Sequence, residues 1–341
     1  MSGPARTGSG VSAPIKVVVP ARDAADTLRA CLSGLRDAGF APGEVIVVDD
    51  ASWDATLDIA EEFAVRRVAL RTAGGAAAAR NAGVAGCDAP IVLFVDADVV
   101  LHPGMRDRIL RFFEDHPDHS AVIGSYDDAP PAPGGLSRIR NLLHHHTHQE
   151  APGDVASFWT GCGAIRRADL VAAGGFEPGH PLEDVALGLA LARQGRRVRL
   201  DPSILCTHLK RWTLRSMIRA DLFYRALPWS RMLLDPGNAG IAAQLNAGRT
   251  GKLSVVLSGL ALAGLVLLPL VPVFAVVVVL AALGALAALH RRFLRLVERR
   301  LGIFFAVQAV GVLWVHFCCA GAGFAWALFE RVRSRGAARP A

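Results

Sequence analysis

The sequence predicts an α/β catalytic domain built on a mostly parallel sheet, followed by helices that cross a membrane. Three observations carry this. Short apolar runs rich in Val and Ile alternate with amphipathic stretches from Ile15 to Leu200, the pattern of crossover units in a parallel sheet. One run, Ile91–Val95, ends directly in Asp96-Ala97-Asp98, which sets two carboxylates at the carboxyl end of a buried strand, where open α/β sheets bind ligands. Beyond residue 252 the chain changes character. Leu253–Leu289 holds no charged residue, and in Leu301–Phe329 His316 is the one ionisable group besides two cysteines.

Taken in order, Ile15–Val19 reads as a strand, Ala24–Ala38 as a helix, Glu44–Val48 as a strand, Thr56–Val65 as a helix and Arg67–Arg71 as a short strand. The Ala-rich stretch Ala76–Ala85 is a helix leading into the strand Ile91–Val95. The Pro-rich segment Ala129–Gly135 interrupts the alternation. After it come a helix over Leu136–His148, a strand region over Phe158–Arg166, a helix over Leu182–Arg193 and a strand over Val198–Leu200. Trp212–Leu234 interleaves Trp, Phe, Tyr, Leu and Arg, which suits a helix at the lipid headgroup level and equally one packed on the catalytic domain.

A bilayer span needs roughly 20 apolar residues, so the uncharged run from Leu253 has room for two, with Pro269 and Pro272 at the turn between them. The expected organisation is a disordered N-terminal segment (1–14), a catalytic domain including interfacial helices (15–235), a linker (236–252), about three spans (253–270, 273–289 and 303–327) within 253–329, and a basic tail (330–341). Met1–Pro14 lacks the apolar core of a secretory signal, which places the catalytic domain in the cytoplasm and the chain, multi-pass, in the inner (plasma) membrane.

The net charge of +7 over 341 residues points to membrane rather than nucleic acid, because much of the basic excess flanks the apolar segments. Arg291, Arg292, Arg295, Arg299 and Arg300 lie between them, and Arg331, Arg333, Arg335 and Arg339 follow the last. Such clusters attract anionic lipid and mark the cytoplasmic side. Three spans put the first cluster inside and the second outside, so either the last segment dips in and returns or the rule is broken. The cysteines at 31, 87, 162, 206, 318 and 319 lack the pairwise spacing of a zinc site and are expected to be reduced.

The polar residues form an ordered series. The first strand runs into Pro20-Ala21-Arg22-Asp23 and the second into Asp49-Asp50-Ala51-Ser52, both at the sheet edge that carries Asp96 and Asp98. Gly74-Gly75 and Ala79-Arg80-Asn81 lead into the third strand. Farther on come Trp159-Thr160-Gly161-Cys162, then Glu183-Asp184 opening a helix, then His208-Leu209-Lys210-Arg211-Trp212. Two hard oxygen ligands one residue apart suit Mg²⁺ or Mn²⁺, although an Asp-x-Asp also serves as a strand-end turn. His144, His145, His146 and His148 look like a metal cluster, but neighbours on a helix point in different directions; a place in an acceptor groove is the other reading.

In this order and spacing the chain resembles the inverting family-2 glycosyltransferases of the GT-A fold, over roughly residues 15–235. The resemblance implies a membrane-anchored enzyme of glycolipid or cell-envelope synthesis with a Rossmann-like GT-A domain, a nucleotide-sugar donor (a UDP-sugar first) and a divalent metal. By the motif match, Pro20, Ala21, Arg22, Asp49, Asp50, Arg80 and Asp96 bind the donor, and Asp98 is the principal metal ligand. Asp184 is the catalytic base with Glu183 as its orienting neighbour, Arg211 and Trp212 lie near diphosphate and acceptor, and Trp159 and Gly161 form the acceptor side. The chain departs from the family at Arg22, where a Tyr is usual, at Ala24, where a Glu contacts the ribose, and at His208, where a Gln is typical. An imidazole ligates transition metals well, so His208 either completes the metal site with Asp98 or bonds to backbone at a strand end.

The chemistry requires these residue types. A cation must neutralise the departing diphosphate, and the acceptor hydroxyl must lose its proton to a carboxylate on the far side of the anomeric carbon. Asp184, in the first turn of a helix, is expected to stay ionised because the positive helix end favours its anion. A base argues for the hydroxyl of a membrane-embedded lipid or lipid-linked glycan; a polyprenyl phosphate is the alternative acceptor. A membrane-anchored nucleotide-sugar-binding scaffold without turnover is the competing class, opposed by the intact Asp50, Asp98, Asp184 and Arg211-Trp212. A sugar nucleotidyltransferase would carry a Gly-rich basic loop that Pro20–Thr27 lacks.

Overall fold

The computed structural model describes residues 14–238 and 248–337. Residues 1–13, 239–247 and 338–341, with most of the predicted N-terminal segment, much of the linker and Arg339 of the tail, lie outside the described residues. The elements run β1 (Ile15–Ala21), α1 (Ala25–Asp37), β2 (Val45–Asp49), α2 (Thr56–Glu62), β3 (Arg66–Ala69), α3 (Gly75–Ala85), β4 (Ile91–Val95), β5 (Val99–Leu101), α4 (Met105–Asp115) and β6 (His119–Tyr126). There follow α5 (Gly135–Gln149), β7 (Gly153–Val155), β8 (Cys162–Arg166), α6 (Arg167–Ala172), α7 (Glu183–Arg193), β9 (Arg197–His208), α8 (Leu214–Arg219), a π-helical turn (Ala220–Ala226) and α9 (Leu227–Leu234). The chain closes with α10 (Arg249–Leu267), α11 (Pro272–Leu289), α12 (Arg291–Leu301) and α13 (Ile303–Ala337).

The strands form one mixed sheet in the order β3-β2-β1-β4-β8-β6-β9-β5, with β7 on β9. The pairings β2–β3, β1–β2 and β1–β4 are parallel, whereas β8 runs antiparallel to both β4 and β6. Strand order reverses between β1 and β4, the kind of switch point at which α/β sheets open a crevice. The first strands are apolar on both sides because both faces are covered. Val17, Val19, Val45, Val47, Leu93 and Val95 pack with α1 and α4, while Val18, Ile46, Val48, Val92 and Phe94 pack with α3 and α7.

Several segments exceed the sequence-based expectation. The strand expected over Val198–Leu200 is part of β9, which takes in Ile204–Cys206 and continues to His208, and β5, α4 and β6 add to the sequence-based expectation. α10 starts at Arg249, inside the expected linker, and α13 runs past the expected third span. By length and composition the three helices Arg249–Leu267, Pro272–Leu289 and Ile303–Ser334 are apolar enough to cross a membrane. A separate core joins them to the catalytic domain: Ile139 and Leu142 of α5 bury against Leu286, Phe293, Val297, Ala309 and Leu313.

Candidate active site

The carboxyl ends of β1, β2 and β4 open into a cleft of about 1070 Å³. Pro20, Ala21, Arg22, Asp50, Arg80, Asp96, Asp98 and Arg211 line it, so most of the donor-side residues named from sequence meet there. The loops after β1 and β2 are laced together. Asp23 N–H donates to Ser52 Oγ at 2.9 Å, Ala24 N–H to Thr56 Oγ1 at 2.9 Å, and Trp53 N–H to Asp23 Oδ1 at 2.9 Å. Asp23 and Ala51 hold positive φ of 48° and 58°, a strain that persists where surrounding bonds over-determine the backbone and that clusters at ligand sites.

The two neighbours Asp49 and Asp50 separate in role. Asp49 turns away from the cleft and accepts from Ser52 N–H at 3.3 Å. Asp50 faces the cleft, with its oxygens accepting from Gly74 N–H (2.6 Å) and Gly75 N–H (2.9 Å) at the start of α3. Gly75 has φ +82°, a conformation glycine adopts without a Cβ penalty.

Arg80 of α3 is the hub. Only 4% exposed, it donates to Asp96 Oδ1 at 2.8 Å and to Glu183 Oε1 at 2.6 Å, with its guanidinium over the Phe176 ring at 5.6 Å. It thereby ties the end of β4 to the start of α7, which lies 103 residues beyond Arg80 itself. Asp184 follows Glu183 and is half-buried; its Oδ1 accepts from Val185 N–H at 2.8 Å. Burial first, and the neighbouring Glu183 charge second, push its carboxyl up to about 6 in spite of Arg80. The expectation that the helix end would dominate is therefore revised: desolvation outweighs the dipole, and the group stays mostly ionised only above about 6.

Asp98 is tuned the other way. Burial works to raise its carboxyl, but His208 and Lys210 outweigh burial and hold it below the ordinary range. The antiparallel pairing of β5 with β9 sets Val99 opposite His208 and so carries His208 Nε2 to 3.5 Å from Asp98 Oδ2. The His208 ring stacks on Tyr126 at 4.3 Å, only 6° from parallel. Its side chain thus lies on Asp98. A carboxylate oxygen and an imidazole nitrogen are the donor types that could hold a divalent cation here.

Trp159 lies beyond Tyr126, ring to ring at 4.8 Å, and does not line the cleft. Gly161 leaves the space the indole occupies: a Cβ there would stand 2.4 Å from the ring. The histidine run does not converge. His144 and His148 face Tyr126 and Trp159, His145 bonds to the Tyr126 carbonyl at 2.8 Å, and His146 lies against Phe293. Burial pushes His148 down to about 4 and His144 well below its usual value, so both stay neutral at pH 7. A second group, His116, Asp118 and His119, sits at the far end of β6, where Arg197 already bonds to Asp118 and to Asp154.

Trp212 adjoins the cleft through Arg211 and is packed from three sides. Ser137 Oγ accepts from its N–H at 2.8 Å, and Lys210, Arg140 and Arg225 stand 4.9, 5.4 and 5.9 Å from its ring. Below it a charged cluster closes on itself. Asp221 in the π-helical turn accepts from Arg140 at 2.6 Å and meets His316 Nδ1 of α13 at 2.9 Å. No spacing in the sequence marks Arg140, Asp221 and His316 as a unit, because they come from three distant segments; Tyr126 beside His208 and the Pro131–Pro133 wall of the cleft are hidden for the same reason.

A mixed sheet with a strand-order reversal, a cleft edged by Asp50, Asp96 and Asp98, and a Glu-Asp pair opening a helix define a glycosyltransferase of the GT-A type. Residues 16–173 match the Glycosyl transferase family 2 domain; the sequence matches the Glycosyl transferase family 21 domain over residues 155–338, more than half of the chain, and the chain belongs to that family. It is 29% identical over 266 residues to the "Pre-mycofactocin glycosyltransferase" of Mycobacterium tuberculosis, covering 74% of this chain and 52% of that protein. The chain thus spans about half the length of that relative. "Glycosyltransferase AglJ" of Haloferax volcanii is 31% identical over 129 residues, 37% of this chain and 41% of its own. Among solved structures, the mannosyltransferase PcManGT from Pyrobaculum calidifontis, in complex with GDP-Man and Mn²⁺, superposes with a TM-score of 0.57 at 18% identity, over 93% of this chain and 88% of that one. Residues 1–349 of S. aureus TarS in complex with UDP-GlcNAc give a TM-score of 0.51 at 17% identity, covering 90% of each chain. These two share the fold.

Proposed function

We propose that the protein transfers a sugar, with inversion, from a nucleotide-diphosphate sugar to the hydroxyl of a membrane-embedded lipid or lipid-linked glycan. The Arg80 bridge carries this reading: one buried guanidinium holds Asp96 of the cleft and Glu183, the neighbour of Asp184, and so links the donor side to a carboxylate that burial pushes up to about 6, a group suited to proton transfer near neutral pH. Nucleotide sugars in two proteins of the same fold, one of them with Mn²⁺, support the donor class.

Asp50, Arg22 and the β1 loop hold the nucleotide, and Arg80 fixes Asp96 and Glu183 so that donor strand and base helix keep one spacing. Lys210 and Arg211 face the diphosphate across the cleft. A divalent cation held by Asp98 and His208 would neutralise the leaving group. Asp184 takes the acceptor's hydroxyl proton as the oxygen bonds to the anomeric carbon and the bond to the diphosphate breaks, releasing the nucleoside diphosphate. The apolar helices α10, α11 and α13 bring a lipid acceptor and the cleft to one membrane surface.

The test incubates the full chain in detergent with a panel of nucleotide sugars, Mn²⁺ or Mg²⁺, and a total lipid extract. Nucleotide release coupled to a new glycolipid in the mass spectrum is expected, and EDTA should abolish both. Release that ignores lipid and metal would contradict the reading.

A further inference from the structure

Helix α13 is apolar enough to cross a bilayer, yet it touches the catalytic domain along most of its length. Near its start, Phe305 and Gln308 lie on Gly135 at the head of α5, where a Cβ would meet them at 2.5 and 3.0 Å. Ala309 and Leu313 bury with Ile139 and Leu142. His316 then meets Asp221, and Gly323 lies on the end of the π-helical turn so closely that a Cβ would stand 2.7 Å from Ala226. Glu330 accepts both bonds of a bidentate pair from Arg231 at 2.8 and 2.9 Å, and Arg331 donates to the Leu234 carbonyl.

From Phe305 to Arg331 the helix rises about 39 Å at about 1.5 Å per residue, more than the ~30 Å of a hydrocarbon core. Were α13 to cross, α5, the π-helical turn and α9 would have to enter the core beside it, carrying the Arg140–Asp221 pair, Arg225 and Arg231. Arg225 and Arg231 are 39 and 52% exposed at the side chain, and a hydrocarbon core disfavours such charges.

The hairpin of α10 and α11 has a different geometry. Its base is fastened to the middle of α13: the Ser258 carbonyl accepts from Trp314 Nε1 at 3.1 Å, and Leu286 buries against Leu313. Its turn projects away, with Val266, Leu270, Val273 and Phe274 between 64 and 79% exposed. The outer face of α13 is also apolar, with Phe304, Val307, Phe329 and Val332 all more than 60% exposed.

We propose that α13 lies along the lipid headgroup region, and that the α10–α11 hairpin, entering the bilayer turn-first, is the membrane anchor. The end of α13 then stays on the same side as the catalytic domain. The proposal rests on the membrane attachment in the functional reading above. It also removes the charge conflict in the sequence: the arginines of α12 and Arg331 and Arg333 all fall on one face, as the basic-side rule requires.

The test places single added cysteines at two exposed positions of the full chain, Asp37→Cys on the catalytic domain and Ser334→Cys near the end of α13, in sealed membrane vesicles of either orientation. Labelling by a membrane-impermeant maleimide is counted above that of the unaltered chain, whose own cysteines are buried or half-buried. Both positions should label in the same orientation and be protected in the other. Labelling of Ser334→Cys only where Asp37→Cys is protected would overturn the proposal. A chain recovered free of the vesicles after a carbonate wash would overturn both it and the membrane reading.

Discussion

The donor side of the molecule, β1 to β4 with their loops, and the helical side, α5 with α8 to α13, hold charged groups in opposite ways. On the donor side Asp50, Asp96 and Asp98 stand at strand ends, each fixed on one side by backbone amides, Arg80 or His208 and open on the other to the cleft. On the helical side Arg140 and Asp221 are each 1% exposed at the side chain and close on one another and on His316. The first arrangement leaves ligand-binding capacity unspent. The second consumes it internally and fixes Trp212 above it. One half is a candidate site, and the other is the frame that joins it to helices α10 to α13.

This contrast sets the order of expected effects. Asp184→Asn keeps the shape of the site but cannot accept a proton, so turnover should fall by about 10²–10⁴-fold with donor affinity unchanged in calorimetric titration. Asp98→Asn should lower both donor binding in the presence of metal and turnover. Equal behaviour of the two variants would erase the distinction between the carboxylates. On the helical side, Leu313→Ala opens a void in a fully buried contact between α13 and α5. It should cost about 2–4 kcal/mol of stability, read from denaturant unfolding in detergent, while donor affinity stays near wild type. A large loss of donor affinity would show that frame and site are one unit.

Gly161→Ala places a methyl group against the Trp159 indole. Overpacking of this kind should cost about 1–2 kcal/mol and weaken acceptor use more than donor use, seen as a higher KM for lipid. The smallest effect falls at Arg22, which is exposed at the cleft mouth. Arg22→Ala should weaken donor binding by only about 2–5-fold, within the ~1 kcal/mol expected of an exposed stacking or charge contact, and should leave the unfolding midpoint in place.

The legibility of the sequence follows the same division. β1, β2 and β4 and their terminal carboxylates were readable because apolar runs and the motifs behind them are local, and the boundaries of Ile91–Val95 coincide with the strand. β6 was missed although all eight of its residues are buried, since His119, Ser120, Gly124 and Ser125 dilute its apolar signal. The Arg80 bridge from Asp96 to Glu183 and the Arg140–Asp221–His316 cluster depend on contacts between distant segments, which no spacing encodes. For Asp184 the local rule of a helix end was visible and burial was not, so the direction of its shift could not be read from the residues around it.

The claim that Asp184 is the base is tested most directly by the pH dependence of turnover at saturating donor and metal. A carboxylate acting as base works only when ionised, so a group raised to about 6 should make the rate fall as pH drops through about 6, two units above an ordinary Asp. In Asp184→Asn the small residual rate should lose that limb. A limb near pH 4 in the wild-type enzyme, or one near 6 that persists in Asp184→Asn, would contradict the account and bring an already ionised phosphate forward as the acceptor.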